Sequence, residues 1–325
     1  MRKFFPWFHW RSKAAAEAIA RADLRVRCFD NWYDFDESLS YLTPGGTGVW
    51  DGVAFLRDDV PAPDWIGIFN HPGRRPVRIT ASPNRVFFAI GEPPGERYRP
   101  MHLGQGDGTF VLTCDEEVAC NRSLPRRAIL CPAMARTWQV RRSIDELRRT
   151  RVEDKPRSLS WITSNAKRIP GHLYRMDFLE RLRGKLEFDL YGRGFRPIAD
   201  KWPALAPYRY SIAFENTFAP YYFTEKLMDC FVAETMPIYF GSPSIGQFFP
   251  PESMLVLDPE TPNVAGEIAA LVKSDLWLRR KDAILEAKRL VLEEYNLFAR
   301  LARFVKEQSA PPAPAVPMTI TPVSC

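Results

Sequence analysis

From residue 158 onward, short apolar runs alternate with amphipathic stretches, and that alternation restricts the folds open to this chain. Residues 158–163 predict a strand, 174–182 a helix with Phe178 and Leu182 on one face, and 186–191 a second strand closed by Gly192-Arg193-Gly194. Residues 210–214, 224–233 and 237–240 continue the series as strand, helix and strand. A helix crossover returns the chain to the same end of the sheet, so such strands run parallel. Ligands then bind in the crevice at the C-terminal strand ends.

The first half shows apolar runs at 24–28, 48–56, 65–69, 85–90 and 109–112, separated by Gly and Pro clusters, and predicts a second strand-rich unit. Between the two halves, residues 141–158 are charge-dense and end in Lys155-Pro156-Arg157, the pattern of a linker or exposed helix followed by a break. The expected division is therefore 1–150 and 151–275. After it, Ile284, Ala287, Val291, Phe298 and Leu301 recur at helical steps and predict one long C-terminal helix within 276–308. The Pro- and Ala-rich residues 309–325 predict a disordered tail.

Composition adds limits. With 46% hydrophobic and 26% charged residues over 325 positions, the chain can bury a core in each half. Most of the net charge of +6 sits in residues 1–27, which hold seven basic and two acidic residues. Within the arm 1–22, Phe4, Phe5, Trp7, Phe8 and Trp10 lie among those cations, a mixture suited to an anionic membrane surface contacted by residues 1–13. A solvated arm whose aromatics pack on the domain fits equally well. No apolar run reaches the roughly 18 residues of a membrane span, and no signal-peptide core is present, so a cytoplasmic protein is expected, with peripheral contact at the inner face of the membrane as one of the two options for the arm. The six scattered cysteines read as reduced thiols. Basicity confined to the arm does not support nucleic-acid binding.

The chemistry concentrates in one segment. Phe214-Glu215-Asn216 reads as a strand end, and Tyr222-Phe223-Thr224-Glu225-Lys226 as a loop leading into a helix. Thr224 suits the N-cap, and Glu225 suits the first turn. Free N–H groups there, with Lys226, would accept a diphosphate, while Glu225 could receive the two hydroxyls of a ribose. Gly241 and Ser242, after the next strand, would let the backbone approach a ligand closely. By itself a Glu-Lys pair at a helix start is more often an ordinary solvated cap.

Three blocks together carry more weight. Phe214-Glu215-Asn216-Thr217, Tyr222-Phe223-Thr224-Glu225-Lys226-Leu227 and Pro237-Ile238-Tyr239-Phe240-Gly241-Ser242-Pro243-Ser244 resemble the donor-site signature of the α-1,3/4-fucosyltransferases, family 10 of the glycosyltransferases, in the form of its bacterial members. Ser164-Asn165, Arg175 and Asp189-Leu190-Tyr191-Gly192-Arg193-Gly194 extend the resemblance upstream. It implies a GT-B type α/β fold: two Rossmann-like domains facing a central cleft. It also implies GDP-fucose as donor, an oligosaccharide or glycolipid acceptor containing N-acetylglucosamine, and inverting transfer. Arg175 would then bind the diphosphate with Lys226, and Arg168 competes for that role. Glu225 would hold the ribose, and Asn216 and Tyr222 would contact the phosphates or the fucose. His172 lies close by, with packing its more common use.

In the first half, Arg85-Val86-Phe87-Phe88-Ala89-Ile90-Gly91-Glu92 reads as a buried strand ending in a Gly-Glu turn. The family sets its base after a similar strand, which makes Glu92 the candidate base and Glu96 the alternative. Asp34-Phe35-Asp36 matches a metal-binding pair literally, but the family uses basic residues for the diphosphate, so no cofactor or essential metal is expected. A related transferase using another nucleotide sugar, and a non-catalytic binding relic, are the competing interpretations.

Overall fold

The computed structural model describes residues 12–31, 35–57, 60 and 62–323. Among them, strands β1 (Leu24–Asp30), β2 (Val49–Trp50), β3 (Val53–Leu56), β4 (Trp65–Phe69), β5 (Val77–Ala81), β6 (Val86–Ala89), β7 (Phe110–Thr113) and β8 (Arg127–Leu130) come from the first half. All except β5 form one sheet, ordered β2-β3-β1-β4-β6-β7-β8 and parallel apart from the β2–β3 pair. Helices α1 (Lys13–Ala20), α2 (Phe35–Leu42), α3 (Arg99–His102), α4 (Glu116–Cys120) and α5 (Ile144–Arg149) accompany it. Strands β4 and β6 are buried at every position, as strands covered on both faces must be.

The second sheet holds β9 (Arg157–Ile162), β10 (Asp189–Tyr191), β11 (Tyr208–Phe214), β12 (Met236–Phe240) and β13 (Leu255–Val256). Its order is β10-β9-β11-β12-β13, all parallel. Helices α6 (Pro170–Leu182), α7 (Glu225–Val232), α8 (Val264–Leu271), α9 (Leu276–Arg279), α10 (Lys281–Glu293) and α11 (Leu297–Glu307) complete the chain. Phe178 of α6 packs on Phe214 and Phe240 with ring centroids 5.0 and 4.8 Å apart. Each such ring contributes roughly 1.5–3 kcal/mol relative to exposure, so α6 is pinned across the ends of β11 and β12.

Both sheets are doubly wound, and each has a point where the strand order reverses: between β1 and β4 in the first, between β9 and β11 in the second. Crevices open at such points. The α/β architecture with two Rossmann-like units, expected above, is the architecture observed.

Two expectations need correction. The predicted single helix over 276–308 is three helices, and the last break reverses the chain's allegiance. Asn296 caps α11 by accepting from Phe298 N (3.0 Å) and donates to the Leu42 carbonyl (2.9 Å). That turns α11 back onto the first sheet, where Phe304 packs on Trp65, Phe87 and Phe110. The apolar steps continue across Asn296, so periodicity alone did not reveal the break. The tail expected to be disordered forms β14 (Val316–Ile320), antiparallel to β5, with Ile320 fully buried. Its partner lies more than two hundred residues upstream, and its Pro-rich composition hid an alternating apolar pair, Met318 and Ile320.

Cys28, Cys114, Cys120, Cys131 and Cys230 are free. Among the described residues no helix is long and apolar enough to cross a membrane. Residues 1–11, which carry most of the aromatic arm, lie outside the described set.

Candidate active site

The second-domain site is built around a carboxylate to which the sequence assigned no role. Glu215 follows β11, is fully buried, and accepts hydrogen bonds from Thr224 N (2.8 Å) and Thr224 Oγ1 (2.8 Å). Lys226 Nζ lies 3.4 Å from Glu215, 3.2 Å from Glu225 Oε1 and 2.9 Å from Thr224 Oγ1. Thr224 caps α7 as expected, accepting from Lys226 N at 3.4 Å. The free N–H groups expected at this helix start are another matter. Those of Thr224 and Lys226 are already taken, and the helix dipole faces the internal Glu215 carboxylate rather than an open anion site. A cap arriving from nine residues upstream leaves no local sequence signature.

These charges set one another. Burial works against Glu225, yet Lys226 and Lys201 prevail and hold its carboxyl at about 2. Burial likewise opposes the Lys226 ammonium, but Glu225 and Glu215 more than offset it and its pKa rises. At Glu215 burial wins over Lys226, and the carboxyl is pushed up.

Arg175, on α6, is buried at 4% exposure and donates to Asn216 Oδ1 and to Ser164 (carbonyl 3.4 Å, Oγ 3.5 Å). Ser164 follows β9 and Asn216 follows β11, so the guanidinium spans the reversal point of the sheet. Its Nε is buried without a partner. Gly171 allows this approach: a Cβ there would sit 1.6 Å from the Asn216 carbonyl oxygen. Burial lowers the His172 pKa, and Arg175, Lys226, Arg168 and Arg193 lower it further, a sign of how much positive charge gathers at this crevice. Of the two candidate arginines, Arg175 meets Asn216. Arg168 is exposed, its N–H donating to His172 Nδ1 at 3.3 Å.

Tyr222 is buried, and burial raises its hydroxyl pKa, with Glu215, Glu225 and Glu92 adding to the effect. That list spans both domains. The neighbouring Tyr221, at φ +61°, accepts from Ala133 N (3.0 Å) and ties this loop to the segment leaving the first sheet. Gly241 is used differently from the expectation. A Cβ there would meet Tyr239 Oη at 2.3 Å and Glu215 Cγ at 2.7 Å, so the glycine is demanded by internal packing around Glu215.

Glu92 stands on the turn after β6, partly buried. Burial raises its carboxyl pKa and Glu225 adds to this, against Lys226 and Arg97. The two domains thus bring Glu92 within electrostatic reach of Glu225, Lys226 and Tyr222. Glu96 is exposed. Asp36 pairs with Arg57 at 3.0 Å, and Asp34 lies outside the described residues. Among the described residues no cluster of His, Cys, Asp and Glu suits a metal ion.

Two facing doubly wound domains, with a cation-lined crevice on one side and a displayed carboxylate on the other, define a GT-B type fold. Residues 152–275 match the family described as glycosyltransferase family 10 (fucosyltransferase) C-term. α-(1,3)-Fucosyltransferase C of Drosophila melanogaster is 27% identical over 199 residues, 56% of this chain and 46% of the relative. α-(1,3)-Fucosyltransferase FucT of Helicobacter pylori is 40% identical over 58 residues, 18% and 12% of the two chains. The bovine 3-galactosyl-N-acetylglucosaminide 4-α-L-fucosyltransferase FUT3 is 30% identical over 129 residues, 38% and 34%. The chain spans less than half the length of each of these relatives. A crystal structure of an α1,3-fucosyltransferase superposes with a TM-score of 0.51 at 18% identity, covering 89% of this chain and 90% of the other, a likeness of fold.

Proposed function

We propose that this chain transfers fucose from GDP-fucose to a hydroxyl of an N-acetylglucosamine-containing glycan, with inversion at the anomeric carbon. The observation that carries the proposal is the convergence of Arg175, Asn216, Lys226 and Glu225 at the β9/β11 reversal point, opposite Glu92. The fucosyltransferase names of the relatives support the donor. The galactosyl-N-acetylglucosaminide named for the bovine relative supports the acceptor class.

In this mechanism Glu92 takes the proton of the acceptor hydroxyl as its oxygen attacks the anomeric carbon from the face opposite the diphosphate. The bond from that carbon to the diphosphate oxygen breaks, and the leaving group gains negative charge. Arg175 and Lys226 stabilise that charge, and they are already oriented before reaction, so no reorganisation cost falls on the barrier. Glu225, ionised at neutral pH, accepts from the ribose hydroxyls. Fixed cations neutralise the diphosphate, so the reaction needs no metal ion and should persist in EDTA.

The test incubates the protein with GDP-fucose, GDP-mannose and UDP-sugars against a panel of N-acetylglucosamine-containing acceptors, with product linkage and anomeric configuration read by NMR. An α-fucosyl product from GDP-fucose alone supports the proposal. Preference for another nucleotide sugar would overturn the donor assignment, and donor binding without transfer or hydrolysis would favour a non-catalytic role.

A further inference from the structure

The turn bearing Glu92 is anchored at four successive residues by four different parts of the fold. The Ile90 carbonyl accepts from Met134 N (2.8 Å), and Gly91 N donates to Asn70 Oδ1 (2.8 Å). The Glu92 carbonyl receives the Cys114 thiol (3.5 Å), and the Pro93 carbonyl lies 3.1 Å from His102 Nε2. Against this, the Glu92 carboxylate itself has no hydrogen-bond or ion-pair partner among the described residues. Backbone held at each of four residues and side chain left open is the arrangement expected of a group aimed at something outside the chain.

Two of the four anchors, His102 and Asn70, are buried polar side chains. His102 is fully buried on α3, and burial favours its neutral form, with Arg99 acting in the same direction and Asp115 against it. A carbonyl can only accept, so Nε2 carries the proton and donates to Pro93. Nδ1 must then accept from Thr113 Oγ1 (2.6 Å), whose oxygen in turn accepts from Asp115 N (3.0 Å). The hydrogen-bond directions of this chain are consistent from end to end, running from the end of β7 to the turn after β6. Asn70 is 2% exposed and holds φ +59°, a backbone state that side chains other than Asn and Asp rarely adopt. In that state its amide reaches across to Gly91.

We propose that His102 and Asn70 are positioning residues that fix the 90–93 turn and thereby aim the Glu92 carboxylate across the cleft at the acceptor hydroxyl. The proposal rests on the assignment of Glu92 as base. Neither side chain needs to touch substrate, and both act through the backbone of the turn.

The experiment measures kcat and KM for GDP-fucose and acceptor, with GDP affinity by calorimetry, in wild type and in His102→Asn, His102→Gln, Asn70→Gly and Glu92→Gln, alone and combined with Glu92→Gln. His102→Asn keeps an acceptor near Nδ1 but loses the donor to Pro93. It should lower kcat about 10–100-fold, since displacing a reacting group by about 1 Å can cost 10²-fold, with GDP affinity within about 3-fold of wild type. His102→Gln returns a donor near Nε2 and should recover most of the loss. Asn70→Gly removes the acceptor for Gly91 while tolerating the positive φ, and should lower kcat about 10-fold. In the Glu92→Gln background both changes should have little further effect, because there is no base left to aim. Multiplicative losses in that background, or wild-type kcat in Asn70→Gly and His102→Asn, overturn the positioning role. If His102→Asn does not fold, Asn70→Gly decides by the same criteria. Wild-type turnover in Glu92→Gln alone would instead sink the base assignment, and that variant separates the two failures.

Discussion

Glu215 and Glu92 each follow a central parallel strand, one in each domain, and burial pushes both carboxyls up. They differ in what is tied down. Glu215 has its oxygens committed to Thr224 and faces Lys226, and even the absence of a side chain at Gly241 serves to fit it. Glu92 has its backbone committed and its carboxylate open. The comparison separates two uses of a buried acid: a charge that builds a site by organising cations around it, and a charge kept available for a proton. Pairing lets the first be buried completely, whereas the second stays at the rim of a cleft because an unpaired carboxylate cannot be taken deeper.

Exchanging Glu92 for Gln should produce the largest effect, a loss of about 10²–10⁴-fold in turnover with GDP affinity little changed. A turnover within a few-fold of wild type would break the comparison. Glu215→Ala should act on stability first. It strands Thr224 N and takes away one of the two carboxylates beside the Lys226 ammonium, at a cost of about 1–3 kcal/mol for the buried donor left unpaired, read as a drop in urea midpoint together with weaker GDP binding. Full stability in that variant would mean Glu215 organises nothing.

Acid titration sharpens the same contrast. The Glu225 carboxyl sits at about 2 in the folded chain against an ordinary 4.5. Its contribution, on the order of 3 kcal/mol, is therefore present above about pH 4.5 and lost as pH falls from there toward 2. Glu225→Gln should flatten this part of the stability curve in urea melts at pH 7, 4 and 3, and an unchanged curve would show that Lys226 does not hold it. The smallest effect is expected at Asp36, half-exposed and paired with Arg57. Asp36→Ala should change stability by less than about 1 kcal/mol and leave transfer in the presence or absence of divalent metal unaltered. A metal-dependent loss would point to a role for the Asp34/Asp36 pair.

The helix start at Thr224 and the strand end before Asn216 were legible because their signals are local. Thr224 stands immediately before the helix it caps, Lys226 two residues on, and Asn216 directly after a strand. Arg175 was singled out only through the family resemblance, with Arg168 left as its competitor. Glu215 escaped notice although it lies inside the same segment, because its partner is nine residues away and no periodic rule links a strand-end acid to a distant N-cap. His102 and Asn70 were invisible for the same reason: a single histidine and an asparagine between apolar runs have no pattern until the strands are side by side.

What the sequence determined by itself was the alternation of strands and helices, hence two parallel sheets with open C-terminal ends, and the residue types gathered at one of them. Those features come from side-chain periodicity and from capping, which act over a few residues. Only the tertiary structure decided that α11 crosses back to the first sheet, that the tail becomes a strand beside β5, and that Glu92 faces Glu225 and Lys226 from more than a hundred residues away. Such contacts depend on which buried faces fit together once chain entropy has been spent. Glu92 was already a candidate in the linear chain; its position opposite the cations came from the packing of two domains.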